Sequence, residues 1–291
     1  MLQVLIYGLI SGSIYALGGI GVSLIFGVLG FAHFAHGDLM TLGAYVMLAL
    51  VVAGVPIWLS FLIALPLTGL AAVLIDRLVY ARLRRTGPIT LLIASIGVAL
   101  VVRNLIQLIW GPQNQVYRQG IQMPWRWLLQ HAGVRVKPTE LLTIAVAAGL
   151  AIGVQLFLHR TRAGKAMRAV ADNPDLAAVS GIDPERVARW CWLIGGALAA
   201  AAGALYGMET HLLPTLGWDI LLPIFAGVIL GGVGSPTGAM LGGLALGVIQ
   251  EASTLVMPAQ YKPLVAFVLM ILILLLRPGG ITGAGVGRRA A

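Results

Sequence analysis

The sequence predicts an all-α membrane protein, a polytopic bundle of about eight to nine transmembrane helices with broken or re-entrant segments and a short helix in a cytoplasmic loop. Three observations predict it. Of 291 residues, 59% are hydrophobic and only 10% charged, where an ordinary soluble domain carries roughly a quarter. Charge is absent before Asp38, between Asp38 and Asp76, from Arg85 to Arg103, from Glu140 to Arg160, from Arg189 to Glu209 and from Asp219 to Glu251. Such runs reach the ~20 apolar residues that cross a ~30 Å hydrocarbon core, and a helix satisfies its own backbone over that distance.

The first span runs from 4 to 29. MLQVLIYGL lacks the basic region of a cleavable signal, and its apolar run is too long for one. A break, GFAHFAHGDLMTLGAY from Gly30 to Tyr45, precedes the second span at 36 to 54. Backbone leaves a helix at membrane depth only where protein or a water-filled cavity satisfies it, a device common in transporter sites. His36, Gly37 and Asp38 are therefore candidates for a translocation path, although capping a helix start suits Asp38 better. The third span, 57 to 75, ends in the basic residues Arg77, Arg82, Arg84 and Arg85. The fourth, 89 to 110, carries Arg103, Asn104 and Gln107, and Arg103 lies only two turns from Trp110 and can snorkel outward.

An outer loop from 112 to 139 contains amphipathic WRWLLQHAGV, suited to lie on the membrane or on a partner. Spans at 140 to 158 and 190 to 209 flank the loop from 159 to 189. Spans at 219 to 233, 237 to 256 and 260 to 276 complete the alternation. Between the first two of these, GGVGSPTGAMLGG is a second break. It reads equally as a path element through Gly231, Gly232 and Gly234 or as a tight turn. Glu251 is a path candidate as a carboxylate within a span; otherwise it pairs with Arg103 or lies near the outer boundary.

In this alternation one side receives Arg77, Arg82, Arg84, Arg85, Arg160, Arg162, Lys165, Arg168, Arg186, Arg189, Arg277, Arg288 and Arg289. The other receives Arg118, Arg126, Arg135, Lys137 and Lys262. Short basic loops stay inside, which places the 159 to 189 loop and the C-terminus in the cytoplasm. The +9 net charge is thus explained by orientation and not by nucleic acid. Trp58, Trp110, Trp190, Trp192 and Trp218 fall near span ends, where amphipathic rings prefer the headgroup layer.

Small residues recur four apart at Gly8 and Gly12, Gly195 to Gly207, Gly227 and Gly231, Gly238 and Gly242, and Gly243 and Gly247. That spacing reads first as close helix packing. No G-x-x-x-x-G-K-[ST] loop, H-E-x-x-H helix or G-x-S-x-G turn occurs, so the chain carries no recognisable nucleotide or catalytic device. The lone Cys191 forms no disulfide framework, and His33 with His36 lacks further metal ligands.

The loop RAGKAMRAVADNPDLAAVSGIDPERVARW is punctuated as a miniature helix. Asn173 caps, Pro174 takes the first position, Asp175 suits the positive end, and Gly181 stops it; Asp183 then starts the next helix with Pro184 and Glu185. DLAAVS has about two turns and is too short to persist alone. Its apolar side, Leu176, Ala177, Val179 and Ser180, needs a surface: the chain's own bundle or another protein's groove.

GKAMRAVADNPDLAAVSGIDPERV resembles the cytoplasmic loop of permease subunits of branched-chain amino acid ABC importers. FAHG at Phe34 to Gly37, LIASIGVALVVRNL, GGVGSPTGAMLGG and EASTLVMPAQYKPLVAFVLMILILLLRPGGI resemble the same family in order and spacing. The pattern departs from the family at His33, Asp38, Pro223 and Ala81-Arg82. The resemblance implies one permease domain over 1–291 that moves branched-chain or other hydrophobic amino acids across the inner membrane. It implies a second related permease, two cytoplasmic ATPases that hold ATP and Mg, and an outer binding protein. Gly164, Arg168, Asp172, Asn173, Asp175, Leu176, Ala177, Gly181 and Asp183 would then form an ATPase-coupling element around a coupling helix. The alternatives are a permease of that family for urea, amides or other small polar solutes, and an ion-coupled secondary transporter built on Asp38, Glu251 and His36.

Overall fold

A computed structural model describes residues 1–84, 86–117 and 123–282. Among them regular structure is helical, apart from one isolated antiparallel bridge between Gln115 and Leu212. The helices are α1 (Leu2–Leu29), α2 (His36–Val52), α3 (Ile57–Ile75), which passes through a π-helical turn (Asp76–Tyr80) into α4 (Ala81–Leu83), and α5 (Pro88–Trp110). There follow α6 (Arg126–Ala132), α7 (Pro138–Arg160), α8 (Arg162–Asp172), α9 (Pro174–Val179) and α10 (Pro184–Glu209). Last come α11 (Leu216–Gly231), α12 (Pro236–Ser253) and α13 (Lys262–Leu276).

All nine expected spans are therefore helical. Among the described residues six stretches are long and apolar enough to cross a membrane, and α11 with α12, bent by 119° at their break, passes as a seventh when joined. The apolar α2 is shorter, at 17 residues. Four of the residues behind the charge asymmetry, Arg85, Arg118, Arg288 and Arg289, lie outside the described residues.

Burial separates two classes of helix. In α1 and α10 most of the spanning stretch is enclosed by protein, whereas α5, α7 and α13 present most of theirs to the outside. The composition of each class explains the difference. The central pair is rich in Gly and Ala, so neighbours approach backbone to backbone. Gly8 and Gly12 of α1 meet Gly247, Val248 and Leu244 of α12, and Gly203 of α10 meets the backbone of Met40 in α2. The small residues thus pack helices, as their spacing predicts. The outer helices carry Leu and Ile on exposed faces, including Ile93, Leu108, Leu156 and Leu275.

Two units share one plan. A long helix (α1, 28 residues; α10, 26 residues) is followed by a break and a short helix (α2, 17 residues; α11, 16 residues). The units run in opposite senses. The start of α1 meets Arg135 through Tyr7, on the side of the outer loop, while the start of α10 meets Arg84 through Glu185 on the opposite side. In the first break His33 bonds Tyr80 Oη at 3.1 Å, and the Phe34 N–H donates to Ser95 Oγ at 3.1 Å. The backbone Phe34 N–H freed from the helix is thus satisfied inside the protein, as a membrane-level break requires.

Candidate functional site

The short helices α2 and α11 lie against one another at their first turns. Gly217 N–H donates to Thr41 Oγ1 at 3.0 Å, and a Cβ on Gly217 would overlap the Gly37 carbonyl. Only glycine lets the two backbones meet there. Beside this crossing Arg103 of α5 grips Asp38, with Nε 2.9 Å from Oδ1 and Nη2 3.1 Å from Oδ2. The guanidinium also sits over the Trp218 ring, 4.8 Å from its centroid. Asp38 is fully buried, but Arg103 keeps 16% of its side chain exposed. Asp219, one residue past Trp218, is exposed, accepts from Thr215 at 3.2 Å and lies within electrostatic reach of Arg103.

This arrangement corrects three sequence readings. Asp38 makes no capping bond at the start of α2, because its carboxylate is taken by a base from another helix. Arg103 turns inward to Asp38 and does not snorkel. Trp218 stacks under a cation, and Trp192 is fully buried against Tyr80 in place of the headgroup layer, with rings stacked at 5.0 Å. An ion pair between α2 and α5 depends on tertiary packing and leaves no local sequence signal.

The other path candidates fall elsewhere. His36 is fully buried, its ring against Gly21 and 6.1 Å from His33. Gly231 packs on Gly238 across the bend between α11 and α12, and Gly232 and Gly234 turn the chain with φ of 112° and 85°. Ser235 caps α12 through the Gly238 N–H at 3.1 Å, and Thr282 returns to donate to the Gly231 carbonyl at 2.7 Å. The bend is therefore a tightly held turn. Among the described residues no cluster of three or more His, Cys, Asp or Glu has metal-site geometry.

Glu251 pairs with Lys262 across the turn from α12 to α13, while Arg103 is held by Asp38. Both groups are partly exposed, so the pair contributes little beyond local order. Glu251→Gln is expected to leave solute uptake within about twofold of wild type at equal expression. An uptake assay in vesicles checks this, and a large loss would place Glu251 on the path. Outside the spans, Tyr117 donates to the Ala44 carbonyl at 2.9 Å, and burial pushes its phenol well above the ordinary value. It remains a neutral donor fastening the outer loop to α2.

The expected miniature helix is present as α9. Asn173 Oδ1 accepts from the Leu176 N–H at 2.9 Å, Asp183 Oδ1 from the Glu185 N–H at 2.9 Å, and Gly181 has φ of 85°. Its two sides differ. Ala177 is buried against the chain's own helices, whereas Leu176 and Val179 are 64% and 88% exposed. The apolar face is thus split between self-packing and an open surface, and Ala177 belongs to the first. Gly164 lets α8 lie against the end of α7, and Met167 and Val170 bury its inner side. Arg168, Asp172, Asn173, Asp175, Gly181 and Asp183 are exposed around α9. Behind it, Arg84 joins buried Asp76 at 2.5 Å to Glu185 at 2.5 Å, tying the π-helical turn to the start of α10.

Residues 4–274 match a family described as branched-chain amino acid transport system / permease component. The chain is 34% identical to the high-affinity branched-chain amino acid transport system permease protein BraD of Pseudomonas aeruginosa, over 97% of this chain and 95% of the relative. It is 32% identical to the corresponding permease protein LivH of Escherichia coli (strain K12), over 97% and 95%. To the permease protein LivM of the same strain it is 24% identical, over 92% of this chain and 67% of the relative. No solved structure matches.

Proposed function

The chain belongs to the family of branched-chain amino acid transport permease components, and from that premise we propose the assembly in which it works. It is the membrane-spanning subunit of an ATP-driven importer, a single permease domain over 1–291 that carries branched-chain or other hydrophobic amino acids across the inner membrane. The chain supplies no catalysis. Two cytoplasmic ATPases bind ATP with Mg and hydrolyse it, a binding protein delivers solute from outside, and a second related permease completes the path. Likeness to both a LivH and a LivM protein supports a pair of related permeases. The exposed faces of α5, α7 and α13 provide surface for that partner and for lipid. Counting α2, α11 and α12 with the six long spans gives the nine-segment alternation, with the α8–α9 loop and the C-terminus cytoplasmic.

The observation that carries the coupling reading is the outward pair Leu176 and Val179 on α9. A six-residue helix holds no stability of its own. It is capped at both ends, anchored inward by Ala177, and left with an apolar side in a polar loop. Such a knob fits a groove on another protein. ATPase closure pushes on α9, and the push passes through α8 to α1 and through the Arg84 network to α3 and α10. The two permeases then rock between outward-open and inward-open states.

The test is uptake into proteoliposomes holding the chain with its partner permease, ATPases and binding protein. Leucine uptake that needs ATP and Mg and survives collapse of ion gradients is the expected result. Uptake driven by a proton or sodium gradient without ATP would replace this reading with secondary transport. ATP-driven uptake of urea or an amide with no amino acid uptake would replace the substrate class.

A further inference from the structure

We propose that Arg103, Asp219 and Trp218, with Asp38 behind them, form an intramembrane recognition site for the charged main chain of the amino acid in transit. The inference rests on the amino acid importer reading and names where that solute is held. Arg103 takes the α-carboxylate, Asp219 takes the α-ammonium, and Trp218 walls the site beside them.

Depth is the first support. Arg103 lies seven residues before the end of α5 at Trp110, which is about 10 Å along a helix rising 1.5 Å per residue. The site is therefore inside the hydrocarbon region and below the Tyr45–Trp110 aromatic contact, whose rings are 5.4 Å apart. Exposure is the second. A purely structural ion pair at this depth would be enclosed, yet Arg103 is partly open, and Asp219 and Asn104 are exposed beside it. Charged groups within a span face a protein interior or a water-filled path, because lipid cannot solvate them. The face shared by α5 and the start of α11 thus borders the aqueous route.

Donor geometry is the third. Asp38 engages Nε and Nη2 of Arg103, and a guanidinium has five N–H donors in a fixed fork. Nη1 is left to bind a second carboxylate, while Asp38 holds the fork in place. One base and two acids stand together, so the arrangement offers a cation to one end of a zwitterion and a spare anion to the other. The close meeting of Gly37 with Gly217 fixes α2 against α11, and hence the separation of the two charges. A hydrophobic side chain is not contacted by these groups, which suits a path that follows selection by another protein.

The experiment measures radiolabelled leucine binding to the whole transporter in nanodiscs without its binding protein, alongside ATP-driven uptake in proteoliposomes. Leucine is expected to be displaced by valine, and poorly by isocaproate, which lacks the ammonium, or leucinamide, which lacks the carboxylate. Asp219→Asn is expected to weaken leucine binding about tenfold or more and to let isocaproate compete as well as leucine. Asp219→Glu, which keeps the charge, should return affinity to within a few-fold, and this rescue separates recognition from misfolding. Unchanged affinity and competition in Asp219→Asn would overturn the site while leaving the importer reading intact. So would the lack of displaceable leucine binding in a transporter that takes up leucine. Wild-type uptake of another solute class and no amino acid would overturn both.

Discussion

Leu176→Asp is expected to abolish ATP-driven uptake and to release the ATPases from the membrane complex, while the permease itself still accumulates. Leu176 and Val179 stand on the outward side of α9 and touch little of their own chain. A carboxylate there costs the permease almost nothing but is buried without a partner if the helix docks into a groove. Such burial costs several kcal/mol, so a fall in ATPase affinity of at least about a hundredfold follows. Val179→Asp should act alike. Ala177→Asp should differ, because Ala177 faces the chain's own helices and a charge there unseats α9 and lowers permease yield. Co-purification of the ATPases with each variant, together with uptake, distinguishes the two effects. Normal co-purification and uptake with Leu176→Asp would mean that α9 packs only on its own bundle.

Gly217→Val is expected to prevent accumulation of folded permease. A Cβ at position 217 would overlap the Gly37 carbonyl and crowd Thr41 Oγ1. The Gly37 carbonyl is backbone of a neighbouring helix, so no rotamer change relieves that clash. Overpacking a core by a methylene or two costs roughly 1–3 kcal/mol where side chains can yield. Here α2 and α11 must separate, breaking the bond from Gly217 to Thr41 and shifting Asp38 from Arg103. A loss above about 4 kcal/mol is expected, enough to send the protein to quality-control proteolysis. Gly149→Ala is the matched control, since a Cβ there meets nothing within 4 Å. Gel filtration of the solubilised membrane fraction should show a peak for the control and none for Gly217→Val.

Local signals in the sequence were legible wherever their physics is local. Asn173, Pro174 and Gly181 set the ends of α9, and Asp183 the start of α10, each within one turn of itself, and the structure has those caps. Long apolar runs announced the helices, and glycines four apart announced close packing. What depended on distant partners stayed hidden. Asp38 and Arg103 are 65 residues apart, so the sequence left each with only its local options, a cap and a snorkel. Glu251 offered three fates, and none of them named Lys262, which the turn from α12 to α13 brings beside it. In α9, six residues are too few for periodicity to say that Ala177 turns in while Leu176 turns out. Trp192 misled because proximity to a span end does not tell whether a ring faces lipid or the Tyr80 core.

The brevity of α2 and α11 bears on how the chain is made. At 17 and 16 residues, and about 1.5 Å per residue, each falls short of a ~30 Å hydrocarbon core. Each also opens with an acidic residue in its first turn, Asp38 or Asp219. Neither segment is a good independent client for the insertion machinery. During synthesis each follows a long companion, α1 or α10, that can span alone. Biogenesis is then hierarchical: the long helices integrate first, and the short ones enter later, folding into a slot already walled by protein. The acid of α2 is neutralised only when α5 arrives with Arg103, so the first half of the permease matures after α5 has been translated.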